Sequence, residues 1–247
     1  MSSEYLIFSD LDGSLLNHED YSFKEAKPML HFIKQNGIEL IFTTSKTKKE
    51  CEVLQKKMDI TAPFIVENGA CIYYPNGEME LLGIEHRDIK TFIDSVKEDF
   101  KILSFSNMKI EEIMEYTLCD YEQSECAKNR DYSEPFLIYD ERRLTELEVL
   151  AEANGMKILK GGRFYHCVGI NQGKGEAVKK AFIQYPNKIT IGLGDNYNDV
   201  SMLEIVDIPV LIPHHEGKYI DIEIENLIKA PYKGSLGWNE ALKKILL

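Results

Sequence analysis

Asp10, Asp12, Asp195 and Asp199 are the residues whose type and position most constrain the chemistry of this chain. Each pair follows a short apolar run, YLIFS at 5–9 before the first and KITIGLG at 188–194 before the second. Ligands of open α/β sheets bind beyond the carboxyl ends of the strands. Read that way, four carboxylates from distant parts of the chain converge on one sheet edge. They repel one another unless a cation sits among them, and hard oxygen ligands in an open site suit Mg²⁺. Thr44 and Ser45 close another apolar run, IELIFTT at 38–44, and add hydroxyls at the same edge. Taken singly, an Asp after a strand serves equally well as a helix N-cap or a turn former. The weight comes from the recurrence.

The elements that must position these residues alternate. After the strand at 5–9, a helical pattern at about 22–35 carries Ala26, Met29, Leu30 and Ile33 on one face and stops at Gly37. A strand at 38–44, a polar helix at 47–58 and a strand at 63–69 follow, and Pro75-Asn76-Gly77 marks a hairpin within 71–82. From Gly83 the rhythm changes: helices near 86–99, 109–117, 121–130 and 141–153 mix with strand-like runs at 101–105, 135–139, 156–160 and 163–169. The alternation resumes with a helix at 174–184, a strand at 188–194, a helix at 198–205, a strand at 208–212 and a closing amphipathic helix. The expected fold class is α/β: a Rossmann-like parallel-sheet core with helices on both faces, built from 1–83 and 169–247, plus an inserted α+β cap at 84–168. Gly83 and Gly169 lie near the crossings, as hinges or as plain turn glycines.

Asp10-Leu11-Asp12-Gly13-Ser14-Leu15 resembles the D-x-D-G-[TS] signature of the haloacid dehalogenase superfamily. Gly194-Asp195-Asn196-Tyr197-Asn198-Asp199 resembles its G-D-x-x-x-D motif, Thr44-Ser45 its hydroxyl motif, and Lys174 in NQGKGEAV its lysine motif. All four occur in the family's order and in matching contexts. The resemblance implies that Asp10 is a nucleophile that forms an aspartyl-phosphate. It makes Asp12 the general acid and base. It also implies Mg²⁺ held by Asp10, the Asp12 backbone carbonyl and Asp195, with Asp199 in support. Thr44 or Ser45 and Lys174 would hold phosphoryl oxygens, since this transfer is mainly positioning and electrostatics.

A single insert between the second and third motifs is where the superfamily's type IIB sugar phosphatases carry their cap. Within that group, five strings resemble the mannosyl-3-phosphoglycerate phosphatases nearly end to end: Thr44–Thr47, Glu67–Ala70, Arg130–Phe136, Gly161–His166 and Gly194–Asn196. That family implies hydrolysis of a small phosphorylated sugar acid, mannosyl-3-phosphoglycerate, to mannosylglycerate and phosphate. Lys46, Glu67, Asn68, Arg163 and His166 are then the substrate-binding candidates. A substrate carboxylate wants a bidentate cation, and Arg163 in the last cap hairpin is the best placed. Lys128, Arg130 and His166 are weaker candidates, and Lys128 and Arg130, on a mixed polar stretch, read first as a solvated face. Glu67 and Asn68 would bond sugar hydroxyls. Other readings are a glucosyl-3-phosphoglycerate or broader sugar-phosphate phosphatase, a phosphomannomutase-like transferase, and a non-enzymatic sugar-phosphate sensor. The sensor is disfavoured because all four aspartates are present.

The formal charge of −12 argues against nucleic acid and anionic membranes as partners, which want a basic face. A phosphate site on such a chain must be made locally positive by a metal or by placed Lys and Arg. Five scattered cysteines without a C-x-x-C pair fit buried or incidental thiols in a reducing cytosol. No apolar run approaches the roughly 18 residues that span a bilayer, and the opening segment lacks the pattern of a secretory leader. The expectation is a cytoplasmic monomer or weak homo-oligomer.

Overall fold

The computed structural model describes residues 4–247; residues 1–3, at the head of the expected core segment, lie outside the described residues. The first stretch supplies β1 (Tyr5–Ser9), α1 (Lys27–Gln35), β2 (Glu39–Thr43), α2 (Lys48–Met58), β3 (Phe64–Val66), β4 (Cys71–Tyr73) and β5 (Met79–Leu81). The middle supplies α3 (His86–Phe100), β6 (Ile102–Ser104), α4 (Ile110–Thr117), α5 (Tyr121–Lys128), β7 (Glu134–Ile138), α6 (Leu144–Ala153), β8 (Met156–Lys160) and β9 (Tyr165–Gly169). The last stretch supplies α7 (Lys174–Phe182), β10 (Ile189–Gly194), α8 (Val200–Leu203), β11 (Ile208–Leu211), β12 (Ile228–Lys229) and α9 (Gly234–Leu246).

An eight-stranded sheet runs β12-β11-β10-β1-β2-β3-β4-β5. The strands from β12 to β3 are parallel, and the β4–β5 hairpin adds two antiparallel edge strands. Strand alternation sends Ile7, Leu40 and Phe42 to one face and Leu6, Phe8 and Ile41 to the other. Helices α1, α2 and α9 cover the first face, through Met29, Ile33, Cys51, Trp238 and Leu242. Helices α7 and α8 cover the second, through Ala177, Val178, Ala181, Met202 and Leu203. Burial on both faces is why β1 and β2 read as continuous apolar runs rather than alternating ones.

The expected helix at 22–35 is shorter: residues 24–26 form one 3₁₀ turn and α1 starts at Lys27, with Pro28 in its first turn where the missing N–H costs nothing. The expected helix at 198–205 reduces to a 3₁₀ turn at Tyr197–Asp199 and one turn of α8. β12 was not expected; two residues carry no periodic signal.

The second sheet is antiparallel, in the order β6-β7-β9-β8. Ile89, Phe92 and Ile93 of α3 and Leu147 and Ala151 of α6 pack on one of its faces. Phe105, Met108, Ile113, Ala127 and Phe164 form a smaller cluster with α4 and α5 on the other. The two sheets meet where the chain crosses between them. Gln172 donates to the carbonyls of Glu67 (2.6 Å) and Tyr132 (3.3 Å) and accepts from Gly169 N (3.2 Å). A Cβ on Gly83 would fall 2.7 Å from the Gln172 Oε1, and one on Gly169 would fall 3.3 Å from Ile84. A Cβ on Gly83 would therefore force Gln172 or Ala70 to shift, whereas one on Gly169 would ask Ile84 to give by only a few tenths of an ångström. Among the described residues no helix is long and apolar enough to cross a membrane.

Candidate active site

β1 and β10 are neighbours, so their carboxyl ends deliver Asp10 and Asp195 side by side. The Asp10 N–H donates to the Leu193 carbonyl at 2.8 Å, carrying the ladder one residue past the strand. Trp238 of α9 donates to Ser9 Oγ at 2.9 Å, and Ser9 Oγ donates to the Asp10 carbonyl at 2.7 Å. Carboxylate oxygens of Asp10, Asp195 and Asp199 lie within 4.8 Å of one another. Lys174, at the first position of α7, is wholly buried beneath them and donates to Asp10 Oδ1 (2.6 Å) and Asp199 Oδ1 (2.5 Å). The other Asp199 oxygen accepts from the Asp195 and Asn196 N–H groups, both at 3.0 Å. Gly13 has φ +84°, and a Cβ there would lie 2.4 Å from Asp195 Oδ2, so only glycine fits this turn.

Burial pushes the Asp10 carboxyl up to about 7 against the pull of Lys174. Burial, then the Asp10 and Asp199 charges, raise Asp195 well above the carboxylate range. Burial works against the Lys174 charge, yet Asp10 and Asp199 hold it protonated above the ordinary lysine value. Fully ionised, three carboxylates against one ammonium would leave two negative charges uncompensated; burial and that excess together hold Asp10 and Asp195 toward their protonated forms. An oxygen-only donor set with that deficit fits a hard divalent cation.

Asp12 faces differently. Its Oδ2 pairs with Lys46 Nζ at 3.0 Å, while its buried Oδ1 has no hydrogen-bond partner. Lys46 also pairs with Glu50 at 3.2 Å and lies over the Tyr21 ring. Thr44 is fully buried, with its Oγ1 accepting from the Lys46 N–H at 3.1 Å. Ser45, not Thr44, lines the cavity between the two sheets. Asp10, Asp12, Lys46, Asp195, Arg163 and His166 line the same cavity, which holds about 110 Å³.

The sequence-predicted substrate residues do not all face that space. Glu67 is buried and its carboxylate accepts from Asp131 N (3.0 Å), Tyr132 N (3.1 Å) and Ser133 Oγ (2.7 Å), so it anchors the segment before β7 of the second sheet rather than pointing at a ligand. Asn68 accepts from Asn198 Nδ2 at 3.0 Å and leaves its own buried amide nitrogen unpartnered. Arg163 spends its guanidinium on the Thr117 carbonyl (2.6 Å), the Tyr116 carbonyl (3.3 Å), the His18 carbonyl (3.2 Å) and His18 Nδ1 (3.1 Å). His166 is buried and its Nδ1 has no partner. Burial, with Arg130 and Lys174 nearby, lowers it to about 3 and keeps it neutral.

Lys128 donates to the Met108 carbonyl. Arg130 is the larger departure from a solvated face: it is 9% exposed and places both terminal nitrogens on the Ser45 carbonyl, at 3.0 and 2.8 Å. Sequence reasoning also passed over Glu50, Gln172 and Trp238. Of these, Glu50 closes a Thr47-x-x-Glu50 capping box that the sequence spells, and the lone tryptophan sits on the buried face of the closing helix; Gln172 carried no local signal.

A sequence profile of haloacid dehalogenase-like hydrolases matches residues 7–213. The chain belongs to that family. Among curated relatives of this haloacid dehalogenase-like hydrolase, a Persephonella marina protein is 49% identical over 98% of this chain and 97% of its own length. A Methanococcoides burtonii protein is 35% identical over the same shares. Both are named glucosyl-3-phosphoglycerate/mannosyl-3-phosphoglycerate phosphatase. The solved structure of the subclass IIB sugar phosphatase BT4131 of the superfamily superposes with a TM-score of 0.69 at 17% identity, covering 98% of each chain. That likeness carries the fold, an α/β core with a cap.

Proposed function

We propose that this hydrolase removes phosphate from mannosyl-3-phosphoglycerate and its glucosyl counterpart. The observation that carries the substrate is the full-length 49% identity to the Persephonella marina protein of that name. The cluster of Asp10, Asp195, Asp199 and Lys174 supports the chemistry. In this reading an Asp10 oxygen attacks phosphorus, the ester P–O bond breaks, and Asp12 gives its proton to the departing alkoxide. Water then attacks the aspartyl-phosphate as Asp12 takes the proton back, releasing phosphate and regenerating Asp10. Ser45 and Lys174 hold the phosphoryl oxygens, with Thr44 shaping the loop beneath. Asp10, Asp195 and the Asp12 backbone carbonyl would hold Mg²⁺, and Asp199, with both oxygens engaged, orients Lys174 and the 195–196 turn. The bound ion would neutralise phosphate charge so that a carboxylate can approach.

Residues 84–168 act as the cap over residues 1–83 and 169–247. The five unpaired cysteines suit a reducing compartment, in keeping with a cytoplasmic monomer or weak oligomer. The test is phosphate release from both hexosyl phosphoglycerates and a panel of hexose phosphates, with Mg²⁺ and with chelator. Magnesium-dependent release confined to the phosphoglycerates is expected; equal turnover of simple hexose phosphates would defeat the assignment. Asp10→Asn should leave less than about one-thousandth of wild-type turnover with the fold intact, and retained activity would remove Asp10 from its role.

A further inference from the structure

Four cations surround the cavity or lie beneath it, and three are already engaged. Lys174 is held by Asp10 and Asp199, Lys46 by Asp12 and Glu50, and Arg163 by backbone carbonyls and His18. Arg130 is different. Its two terminal nitrogens share one carbonyl oxygen, and its buried Nε has no partner. Glu50, whose field reaches Arg130, is spent on Lys46 and the Thr47 N–H. Like that of Arg163, the Arg130 guanidinium carries a charge answered by no hydrogen-bonded carboxylate among the described residues; unlike Arg163, Arg130 keeps a buried nitrogen without a partner. His166, 6% exposed, brings a second unpartnered nitrogen to the same wall, beside Pro135, Phe164 and Phe105. A polar group buried without a partner is costly. Both residues line the cleft, and each carries one buried nitrogen that no group among the described residues answers.

We propose that Arg130 and His166 together bind the carboxylate of the substrate's leaving group, making the cap a reader of phosphorylated hydroxy acids before it is a reader of sugars. This rests on the phosphoglycerate reading above and moves the carboxylate from Arg163 to Arg130. Arg130 rests on the Ser45 carbonyl, on the loop expected to hold the phosphate, and a short carbon arm separates phosphate from carboxylate in phosphoglycerate. Walls of Phe105, Phe164 and Pro135 strengthen a guanidinium–carboxylate bond by excluding water. The neutral His166 ring can donate to the second oxygen. The two relatives, named for both a glucosyl and a mannosyl substrate, fit recognition of the part those substrates share.

The experiment compares kcat/KM of the Mg²⁺-loaded enzyme for mannosyl-3-phosphoglycerate and for its carboxamide. The wild type should favour the carboxylate by about 10- to 100-fold, the worth of charge-assisted hydrogen bonds. Arg130→Gln and His166→Asn should each collapse that ratio, chiefly through KM for the carboxylate. The ratio is the readout because losing the tether to Ser45 slows both substrates alike. Arg163→Gln should lower both and keep the ratio. Equal turnover of acid and amide by the wild type overturns the subsite. So does a ratio kept by Arg130→Gln and lost by Arg163→Gln. Release from neither compound, with release from another phosphate ester, instead overturns the phosphoglycerate assignment itself.

Discussion

Lys174 answers two aspartates from a position with no exposed side-chain surface. Breaking a buried ion pair by removing one partner leaves an uncompensated charge, at a cost of about 3–5 kcal/mol. Lys174→Ala should therefore lower stability by about that much in urea, with part regained on adding Mg²⁺; an unchanged midpoint would mean that water already reaches the carboxylates. His166 supplies a pH dependence. Its folded value of about 3 lies below the ordinary 6.5, so below neutrality the unfolded chain binds a proton that the folded chain refuses. Stability should fall by about 2 kcal/mol between pH 7 and pH 5 from this group alone. His166→Asn should remove that share of the slope, which paired unfolding curves at the two pH values would measure. The convergence of Asp10, Asp195 and Asp199 was legible because strand ends fix where a side chain goes. Arg130 and Glu67 were not, because their partners lie 85 and about 65 residues away, and nothing local distinguishes a solvated arginine from a buried one.

Among the elements, the turn after β3 does more than reverse the chain. Glu67, Asn68 and Gly69 have φ of 47°, 59° and 87°, a run of left-handed residues. It turns the Glu67 carboxylate to residues 131–133, ahead of β7, and packs Gly69 against the start of α7. A Cβ on Gly69 would sit 2.1 Å from the Gly173 carbonyl oxygen, backbone against backbone. Gly69→Ala should cost about 2–4 kcal/mol from strain and overpacking. It should also depress turnover, since the displaced residue adjoins Lys174; a variant as stable as wild type would show that the turn relaxes freely. The parallel strands other than β12 were legible as continuous apolar runs, and most helices from their periodicity. The third strand was expected to run to 69 but ends at Val66, because the left-handed turn obeys hydrogen bonds to Lys46 and Thr44 rather than local propensity.

Across the whole molecule, core and cap are tied by carbonyls reached from the opposite side. Arg163 grips His18, Arg130 grips Ser45, Tyr21 Oη donates to the Thr117 carbonyl at 2.7 Å, and Thr47 Oγ1 donates to that of Cys126 at 3.1 Å. Arg163→Ala should shift the balance toward separation by about 1–3 kcal/mol. Faster amide exchange in 15–21 and 116–120 would register it, and unchanged exchange there would deny Arg163 that role. A phosphate site on a chain of charge −12 was expected to be made locally positive by a metal or by placed Lys and Arg. Lys46, Arg130, Arg163 and Lys174 bring four cations to the cleft, but Asp10, Asp12, Glu50, Asp195 and Asp199 outnumber them, so a bound cation would complete the balance. Which of the four stays free for a ligand was beyond the sequence, because it depends on partners brought together only by the fold. The two crossings beside Gln172 carry a consequence for descent and for engineering. A segment that departs and returns at a single point can be lifted out, or replaced by a differently shaped one, without stretching the sheet it leaves behind. The lid of this enzyme is in that sense a cassette: grafting 84–168 onto a distant relative's core should demand little more than two small residues at the seam and a glutamine to stitch them.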